Sequence, residues 1–153
     1  MIIYLSYKNS QLYKMYTDGS CIGNPGPGGW AAKYGGLFEI SGGVKETTNN
    51  IMEMTAVVKG LEKCMEYGIT EVTVHTDSMY VMKGMTTWIH GWKKRGWKTA
   101  GGTPVKNKEL WIRLDELREK FSTVEMHWVK AHAGNVHNEW VDTEARRVAN
   151  NVS

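Results

Sequence analysis

Two aspartates each follow a run of strand-forming residues, and this placement equips them for metal chemistry. Asp18 comes after an apolar run at residues 12–16, and Asp77 ends the clearest strand pattern of the chain, EVTVHT at residues 71–76. If these strands are parallel neighbours, both carboxylates lie at the carboxyl ends of strands, where open α/β sheets bind their ligands. Adjacent carboxylates repel each other unless a cation lies between them, and hard divalent ions bind oxygen ligands. The pair therefore predicts a divalent-metal site.

Two more acidic residues, on predicted helices, can reach the same edge of the sheet. Glu53 lies near the start of the first helix and borders its apolar stripe, and Asp142 follows Val141 in the first turn or so of the last helix. Each acid also has a structural interpretation, because a carboxylate in the first turn of a helix is stabilised by the helix dipole. For Asp142 taken alone, the pattern favours that structural interpretation.

The Asp18-Gly19 pair has an alternative interpretation as a hairpin turn, because Asp-Gly between two strand patterns commonly forms one. The segment that follows, NPGPGG at residues 24–29, is too long and too stiff for a two-residue hairpin. We therefore expect the strand to stop at Gly19, with Asp18 exposed at its end and the 24–29 loop folded beside it.

Positive charge is concentrated in one segment of the chain. Of 19 basic and 16 acidic residues, seven basic and no acidic ones fall in residues 78–108, which leaves 12 basic against 16 acidic elsewhere. Within this segment residues 89–99, IHGWKKRGWKT, interleave four cations with Trp92 and Trp97, and we call them the basic arm. This pattern is typical of a surface that binds a polyanion. A solvated helix end with buried tryptophans is the alternative.

The order of elements predicts an α/β fold with a mixed sheet and helices on its faces. A helix followed by a strand implies a crossover, so the fourth strand is expected to run parallel to the first. Thr47, Thr48, Asn49 and Asn50 offer capping side chains at the start of the first helix, which Gly68 ends. The predicted strands are 12–16, 30–34, 37–44, 71–76 and 123–129, and the later helices are 78–85, 86–92, 107–120 and 138–151.

Length and composition indicate one globular domain. The 153 residues are 41% hydrophobic and 23% charged, which argues against disorder. We expect residues 13–151 to form a single domain behind a short N-terminal extension at residues 1–12. The apolar patch at residues 2–5 lacks the flanks of a signal peptide, and Cys21 and Cys64 have no metal-like or disulfide spacing. A cytoplasmic monomer with free thiols is the expectation.

Five ordered motifs together resemble the ribonuclease H family of the bacterial type 1 kind, over residues 13–150. The matching segments are TDGS with NPGPGG, TTNNIMEM, TDS, WIHGWKKRGWKT and HAGNVHNEWVD. The resemblance implies the ribonuclease H-like fold, with a five-stranded sheet whose first three strands are antiparallel and whose fourth and fifth run parallel to the first. It also implies an endonuclease that cuts the RNA strand of RNA/DNA hybrids and leaves 5′-phosphate and 3′-hydroxyl ends.

The resemblance further implies four metal-binding carboxylates and two Mg²⁺ ions, with Mn²⁺ as a possible substitute. In it Asp18 bridges both ions, Glu53 and Asp77 complete one side, and Asp142 holds the other. His132, in the loop before the last helix, matches a family position that assists proton transfer or product departure. A lone histidine is more often structural, which is the alternative for His132.

Nucleic-acid contacts are also carried over from the family. The basic arm would hold the DNA strand, with Trp88 and Trp92 near its sugar and phosphate path. Thr48 and Asn107 match a pocket for a DNA phosphate. Asn24, Asn49 and Asn50, with the backbone near Cys21 and Gly19, match minor-groove contacts to the hybrid. An asparagine beside a turn is otherwise more often a cap. The resulting candidate contacts to the hybrid are Gly19, Cys21, Asn24, Thr48, Asn49, Asn50, Trp88, Trp92, Lys93, Lys94, Arg95, Trp97, Lys98 and Asn107.

Three positions depart from the family pattern. Met79 replaces a frequent Gln, Ala131 replaces the Gly that usually precedes the loop histidine, and Glu144 replaces a Leu.

Two other functions compete with ribonuclease H activity. A non-enzymatic module that binds hybrid or RNA would need only the arm, but unpaired carboxylates near phosphates would repel its ligand. A DNA-directed metal nuclease of the same fold class is the other alternative, and the tryptophan-rich arm and TTNN favour hybrids over it.

Overall fold

A computed structural model describes residues 14–131 and 134–152, so the predicted N-terminal extension and His132 lie outside the described residues. Most of the predicted elements are present, several with different ends. In chain order they are β1 (Lys14–Cys21), β2 (Gly26–Tyr34), β3 (Phe38–Thr47), α1 (Asn49–Glu66), β4 (Glu71–Thr76), α2 (Met79–Lys83), a π-helical turn (Gly84–Trp88), α3 (Ile89–Lys94), α4 (Lys108–Glu119), β5 (Thr123–Trp128) and α5 (Val136–Asn151).

The five strands form one mixed sheet in the order β3-β2-β1-β4-β5. The pairs β1–β2 and β2–β3 are antiparallel, whereas β1–β4 and β4–β5 are parallel. The predicted fold class is therefore confirmed, including the parallel pairing of the two strands that carry aspartates.

Helices cover both faces of the sheet. The main core contains Met15 of β1, Leu61 of α1 and Trp111 of α4, all fully buried. A smaller cluster on the other side joins Tyr16 of β1 to Val141 of α5. Because neighbouring residues of a strand point to opposite faces, Met15 and Tyr16 contribute to different cores. β1 is thus enclosed on both sides, and any polar group in its middle is removed from water.

The prediction that β1 stops at Gly19 was wrong. Residues 19–21 pair with β2 in register, Gly19 opposite Trp30 and Cys21 opposite Gly28. The 24–29 segment is only partly loop, because β2 begins at Gly26. Gly29 is required within β2 since a Cβ there would lie 2.3 Å from the Ala145 carbonyl oxygen of α5. The glycines that indicate a loop in sequence instead permit close packing of a helix on the sheet.

The helical segment between β4 and the basic arm is continuous rather than split into two helices. The π-helical turn joins α2 to α3, and a Cβ at Gly84 would lie 2.0 Å from the Trp111 ring, so α4 packs directly against this turn. At the other end of the chain, α5 begins two residues earlier than predicted. The side chain of Asn135 caps it by accepting a hydrogen bond from the Asn138 N–H at 2.9 Å.

In the described ranges, no helix is both long and apolar enough to cross a lipid bilayer. Cys21 and Cys64 are both free thiols, as expected.

Candidate active site

Three of the four predicted carboxylates converge at one point of the sheet. Tyr16 of β1 pairs with His75 of β4, so Asp18 and Asp77, each two residues further on, lie at the same level of neighbouring strands. Glu53 of α1 reaches the same place. One carboxylate oxygen from each of Asp18, Glu53 and Asp77 lies within 4.8 Å of the other two. The predicted meeting of these acids is therefore confirmed, although Asp18 is inside β1 and not at its end.

Gly19 brings Glu53 to β1. A Cβ on Gly19 would lie 2.3 Å from the Glu53 backbone nitrogen and 2.4 Å from the Met52 carbonyl carbon, so the first turns of α1 rest directly on the strand. The Gly19 N–H donates to Asp18 Oδ1 at 2.9 Å and to Glu53 Oε1 at 3.0 Å. One backbone donor thus holds two carboxylates in fixed positions.

The three carboxylates are costly to ionise together. Asp18 is 3% exposed and Glu53 6% exposed. Burial, and next the charge of Asp77, raise the pKa of Asp18 to about 9. Burial, and next the charge of Asp18, raise the pKa of Glu53 well above its usual range. Burial also raises the pKa of Asp77. A divalent cation would offset both the mutual repulsion and the cost of burying these charges, so this donor set fits one.

Asp142 lies beside this cluster, although it is not one of its three converging residues. Its carboxylate is close enough to Asp18 to raise the pKa of Asp18 through a side-chain hydrogen bond and through charge. Asp142 Oδ2 also accepts a hydrogen bond from Arg146 Nη2 at 2.7 Å. The expected position in the first turn of the helix was wrong, because α5 begins at Val136. The helix-dipole interpretation therefore loses its basis, since the dipole acts mainly within the first turn.

Sequence reasoning missed Trp128, which holds the main chain of Asp77. Its indole N–H donates to the Asp77 carbonyl oxygen at 3.2 Å, one residue beyond the last β4–β5 pair. The Ser78 N–H donates to Thr76 Oγ1 at 3.0 Å and the Val129 N–H to the Thr76 carbonyl at 2.9 Å. The register between β4 and β5 creates the contacts of Trp128 and Val129, and a single sequence does not contain that register.

The candidate contacts of the 24–29 loop and α1 are joined to each other. Asn24 Oδ1 accepts a hydrogen bond from the Asn49 N–H at 2.7 Å, which ties the loop to the start of α1. Thr48 is the N-cap of α1 and accepts from the Ile51 N–H at 3.2 Å, so its predicted capping role is confirmed. Cys21 Sγ lies 3.5 Å from the Gly26 carbonyl oxygen and is half-buried.

Asn107 stands at the start of α4 in the left-handed region, with a φ of 60°. Its side-chain amide donates to the Tyr80 hydroxyl at 3.1 Å, and the Trp111 indole N–H donates to the same oxygen at 3.3 Å. Asn107 is therefore oriented by α2 and α4 together.

The basic arm consists of α3 and the turn after it. Trp92 and Trp97 pack against the main core, and the rings of Trp88 and Trp92 are 5.9 Å apart. The alternative interpretation expected buried tryptophans. Trp92 and Trp97 are partly buried, whereas Trp88 is 37% exposed. The four cations of the arm, Lys93, Lys94, Arg95 and Lys98, are all exposed.

Two of the departures from the family pattern have visible surroundings. Glu144 accepts hydrogen bonds from Ser41 Oγ of β3 and from two guanidinium nitrogens of Arg147, each at 2.8 Å. The Arg147 bond is the main cause that lowers the pKa of Glu144. Glu144 therefore ties α5 to β3 by polar contacts. Met79 is 46% exposed at the start of α2, two residues after Asp77. The loop containing Ala131 extends beyond the described residues.

The chain thus combines a buried acidic cluster on a β3-β2-β1-β4-β5 sheet with an arm of exposed cations, and this combination is typical of a metal-using nuclease of the ribonuclease H-like class.

The sequence model of the RNase H family matches residues 10–150, so the chain belongs to the RNase H family. Ribonuclease H of Caulobacter sp. (strain K31) is 56% identical over 135 residues, 86% of each chain. Ribonuclease H of Rhizobium meliloti (strain 1021) is 53% identical over 136 residues, 87% of each chain. The crystal structure of LC9-RNase H1, a type 1 RNase H with the type 2 active-site motif, has a TM-score of 0.77 and 32% identity, covering 90% of this chain and 71% of that chain.

Proposed function

We propose that this protein is an endonuclease that hydrolyses the RNA strand of RNA/DNA hybrids with two divalent metal ions, leaving 5′-phosphate and 3′-hydroxyl ends. One observation carries the proposal. Asp18, Glu53 and Asp77 each place a carboxylate oxygen within 4.8 Å of the other two, and Asp18 and Glu53 are buried. Relatives more than half identical to the chain are named Ribonuclease H, which supports the same activity. The free thiols fit a reducing compartment, and we place the reaction in the cytoplasm.

Asp18, Glu53, Asp77 and Asp142 would hold the metal, which we assign as Mg²⁺ with Mn²⁺ as a substitute. When bound, such ions make water a better nucleophile and neutralise the charge that develops on the phosphate. The chain itself fixes the carboxylates in place. The Gly19 N–H orients Asp18 and Glu53, and Trp128 restrains the main chain of Asp77. Because the oxygens are positioned before substrate arrives, little reorganisation accompanies the reaction.

The remaining surfaces would hold the hybrid. In this proposal the basic arm contacts the DNA strand, and Thr48 and Asn107 bind one of its phosphates. Gly19, Cys21, Asn24, Asn49 and Asn50 contact the minor groove, where 2′-hydroxyls distinguish RNA from DNA. Contacts of this kind give affinity and register with no preference for base sequence.

Cleavage is expected for the RNA strand of a hybrid only, and only with Mg²⁺ or Mn²⁺. The test incubates the protein with labelled RNA/DNA, RNA/RNA, DNA/DNA and single-stranded RNA, each with metal and with chelator. Undiminished cleavage in chelator would contradict the metal role. Cleavage of DNA/DNA would favour a DNA-directed nuclease, and metal-independent binding without cleavage would favour a non-enzymatic module.

Metal affinity is expected to rise with pH, because protons and metal compete for the same oxygens. The pKa of Asp18 is raised to about 9, so at pH 7 this group binds metal only by releasing a proton. Titration calorimetry with Mn²⁺ at pH 6, 7 and 8, in buffers of different ionisation enthalpy, should show tighter binding at higher pH and proton release. An affinity independent of pH, with no protons released, would show that the metal does not bind at these carboxylates.

His132→Ala is expected to lower kcat by roughly 10²-fold or less, while KM and Mg²⁺ affinity stay nearly constant. We assign His132 to proton transfer or product departure because an unperturbed imidazole titrates near pH 6.5 and four carboxylates already suffice as ligands. Calorimetry on the variant separates the two roles. If His132→Ala loses metal binding, the residue is a ligand and this assignment is wrong.

A further inference from the structure

One cation of the basic arm is already bound by the protein itself. Lys93 Nζ lies 3.0 Å from Asp115 Oδ2 and 3.2 Å from Glu119 Oε1, and both carboxylates belong to α4. Asp115 is only 8% exposed, which is unusual for a charged residue outside an active site. Hydrogen bonding to Asp115 is the main cause that raises the pKa of Lys93. A buried carboxylate needs cationic partners, and Lys93 is one of them.

The same carboxylate also holds the segment that leads into the arm. Asp115 Oδ1 lies 3.4 Å from Arg118 Nη2, and Arg118 Nη1 donates a hydrogen bond to the Met85 carbonyl of the π-helical turn. Asp115 therefore connects α4 to α3 through Lys93 and to the π-helical turn through Arg118. Removing either cation would leave a buried charge short of a partner, which costs more than the loss of an exposed ion pair.

Lys94 provides a natural comparison. It is adjacent to Lys93, carries the same charge and is exposed, and successive residues of a helix point about 100° apart. Among the described residues no carboxylate pairs with Lys94, whereas Lys93 contacts two. The two lysines look equivalent in the sequence KKR, but their surroundings differ.

We propose that Lys93 does not bind phosphate and is instead a positioning residue, held by Asp115 and Glu119 so that the arm presents Lys94 and its other cations to the DNA strand. The inference rests on the proposed function of the arm. It divides the arm into cations that pair with no carboxylate among the described residues and one cation, Lys93, that fixes the arm to α4. The opposite possibility is that Lys93 exchanges its two carboxylates for a phosphate when hybrid binds.

The two possibilities predict opposite results for hybrid binding measured in chelator as a function of salt. We expect Lys94→Ala to flatten the slope of log K against log salt by up to about 0.9 and to leave the Tm unchanged. Lys93→Ala should keep the slope, lower the Tm by a few °C and weaken binding several-fold at every salt concentration, since the arm is misplaced. Lys93→Arg should restore both the Tm and the affinity.

Charge removal on α4 gives a second test that does not alter the arm. Glu119→Gln is milder than a change at buried Asp115, and Glu116→Gln is its control, because Glu116 is on the same helix and pairs with Arg113. We expect Glu119→Gln to bind hybrid no more tightly than Glu116→Gln does. Two results would overturn the inference. One is that Lys93→Ala flattens the slope of log K against log salt as much as Lys94→Ala does. The other is that Glu119→Gln binds hybrid more tightly than Glu116→Gln does. Absence of hybrid binding by the wild-type protein would contradict the proposed function instead.

Discussion

Asp18→Asn is expected to reduce turnover of the hybrid by on the order of 10³-fold or more, while hybrid binding survives. Burial, and next the charge of Asp77, oppose the ionised form of Asp18, and its side chain shares the Gly19 N–H with Glu53. Loss of one metal-binding oxygen removes several kcal/mol of transition-state stabilisation, which corresponds to this factor in rate. Binding persists because the variant also loses a charge that repels phosphate. We expect the same of Asp77→Asn.

The same substitution should stabilise the metal-free protein at neutral pH. The folded-state pKa of Asp18 is about 9, above the value of 3.8 for the free side chain, so the folded state retains a proton that the unfolded state releases. Stability from this group therefore falls as pH rises from about 4 towards 9. Asn avoids this penalty, and we expect a gain on the order of 2 kcal/mol, or roughly 4–8 °C in Tm.

Controls separate the metal role from a general effect of charge. Glu66→Gln removes one acid from the exposed end of α1, and it should change neither turnover nor Tm appreciably. Mg²⁺ should raise the Tm of the wild-type protein and of Glu66→Gln more than that of Asp18→Asn. A kcat of Asp18→Asn within tenfold of wild type would rule out the assigned role.

Gly19→Ala is expected to damage both stability and activity, although it leaves every carboxylate in the chain. The new Cβ would lie 2.3 Å from the Glu53 backbone nitrogen, so α1 must move away from β1. Overpacking of this kind costs about 1–3 kcal/mol, or roughly 2–12 °C in Tm for a domain of this size. Displacement of Glu53 by about 1 Å should lower kcat roughly 10²-fold.

Gly36→Ala is the matched control, because among the described residues no atom beyond Gly36 and its two chain neighbours lies within 4 Å of the position that its Cβ would occupy. It should leave Tm and kcat close to wild type. Gly19→Ala with kcat and metal affinity like those of Gly36→Ala would show that α1 can shift without displacing Glu53, and that Gly19 is not needed for the site.

Local pattern was sufficient for most of the elements and for selecting Asp18, Glu53 and Asp77 as candidate acids, whereas Asp142 was assigned through the family resemblance. The alternation of EVTVHT, the apolar spacing after Thr48 and the strand–helix–strand order predicted β4, α1 and the parallel pairing of β1 with β4, because period and connection length are properties of neighbouring residues. The pairing then required Asp18 and Asp77 to meet.

The tertiary structure decided what no local pattern contains. Gly19 looks like the end of a strand, but it lies inside one because residues 19–21 pair with β2, and α1 packs against it there. Trp128 reaches Asp77 through the register of β4 and β5, and Lys93 differs from Lys94 because α4 lies beside one of them. Glycine, tryptophan and lysine each allow several environments, and the choice among them depends on residues distant in the chain. Sequence therefore determined which acidic groups are candidates for the chemistry, and packing determined how they are held.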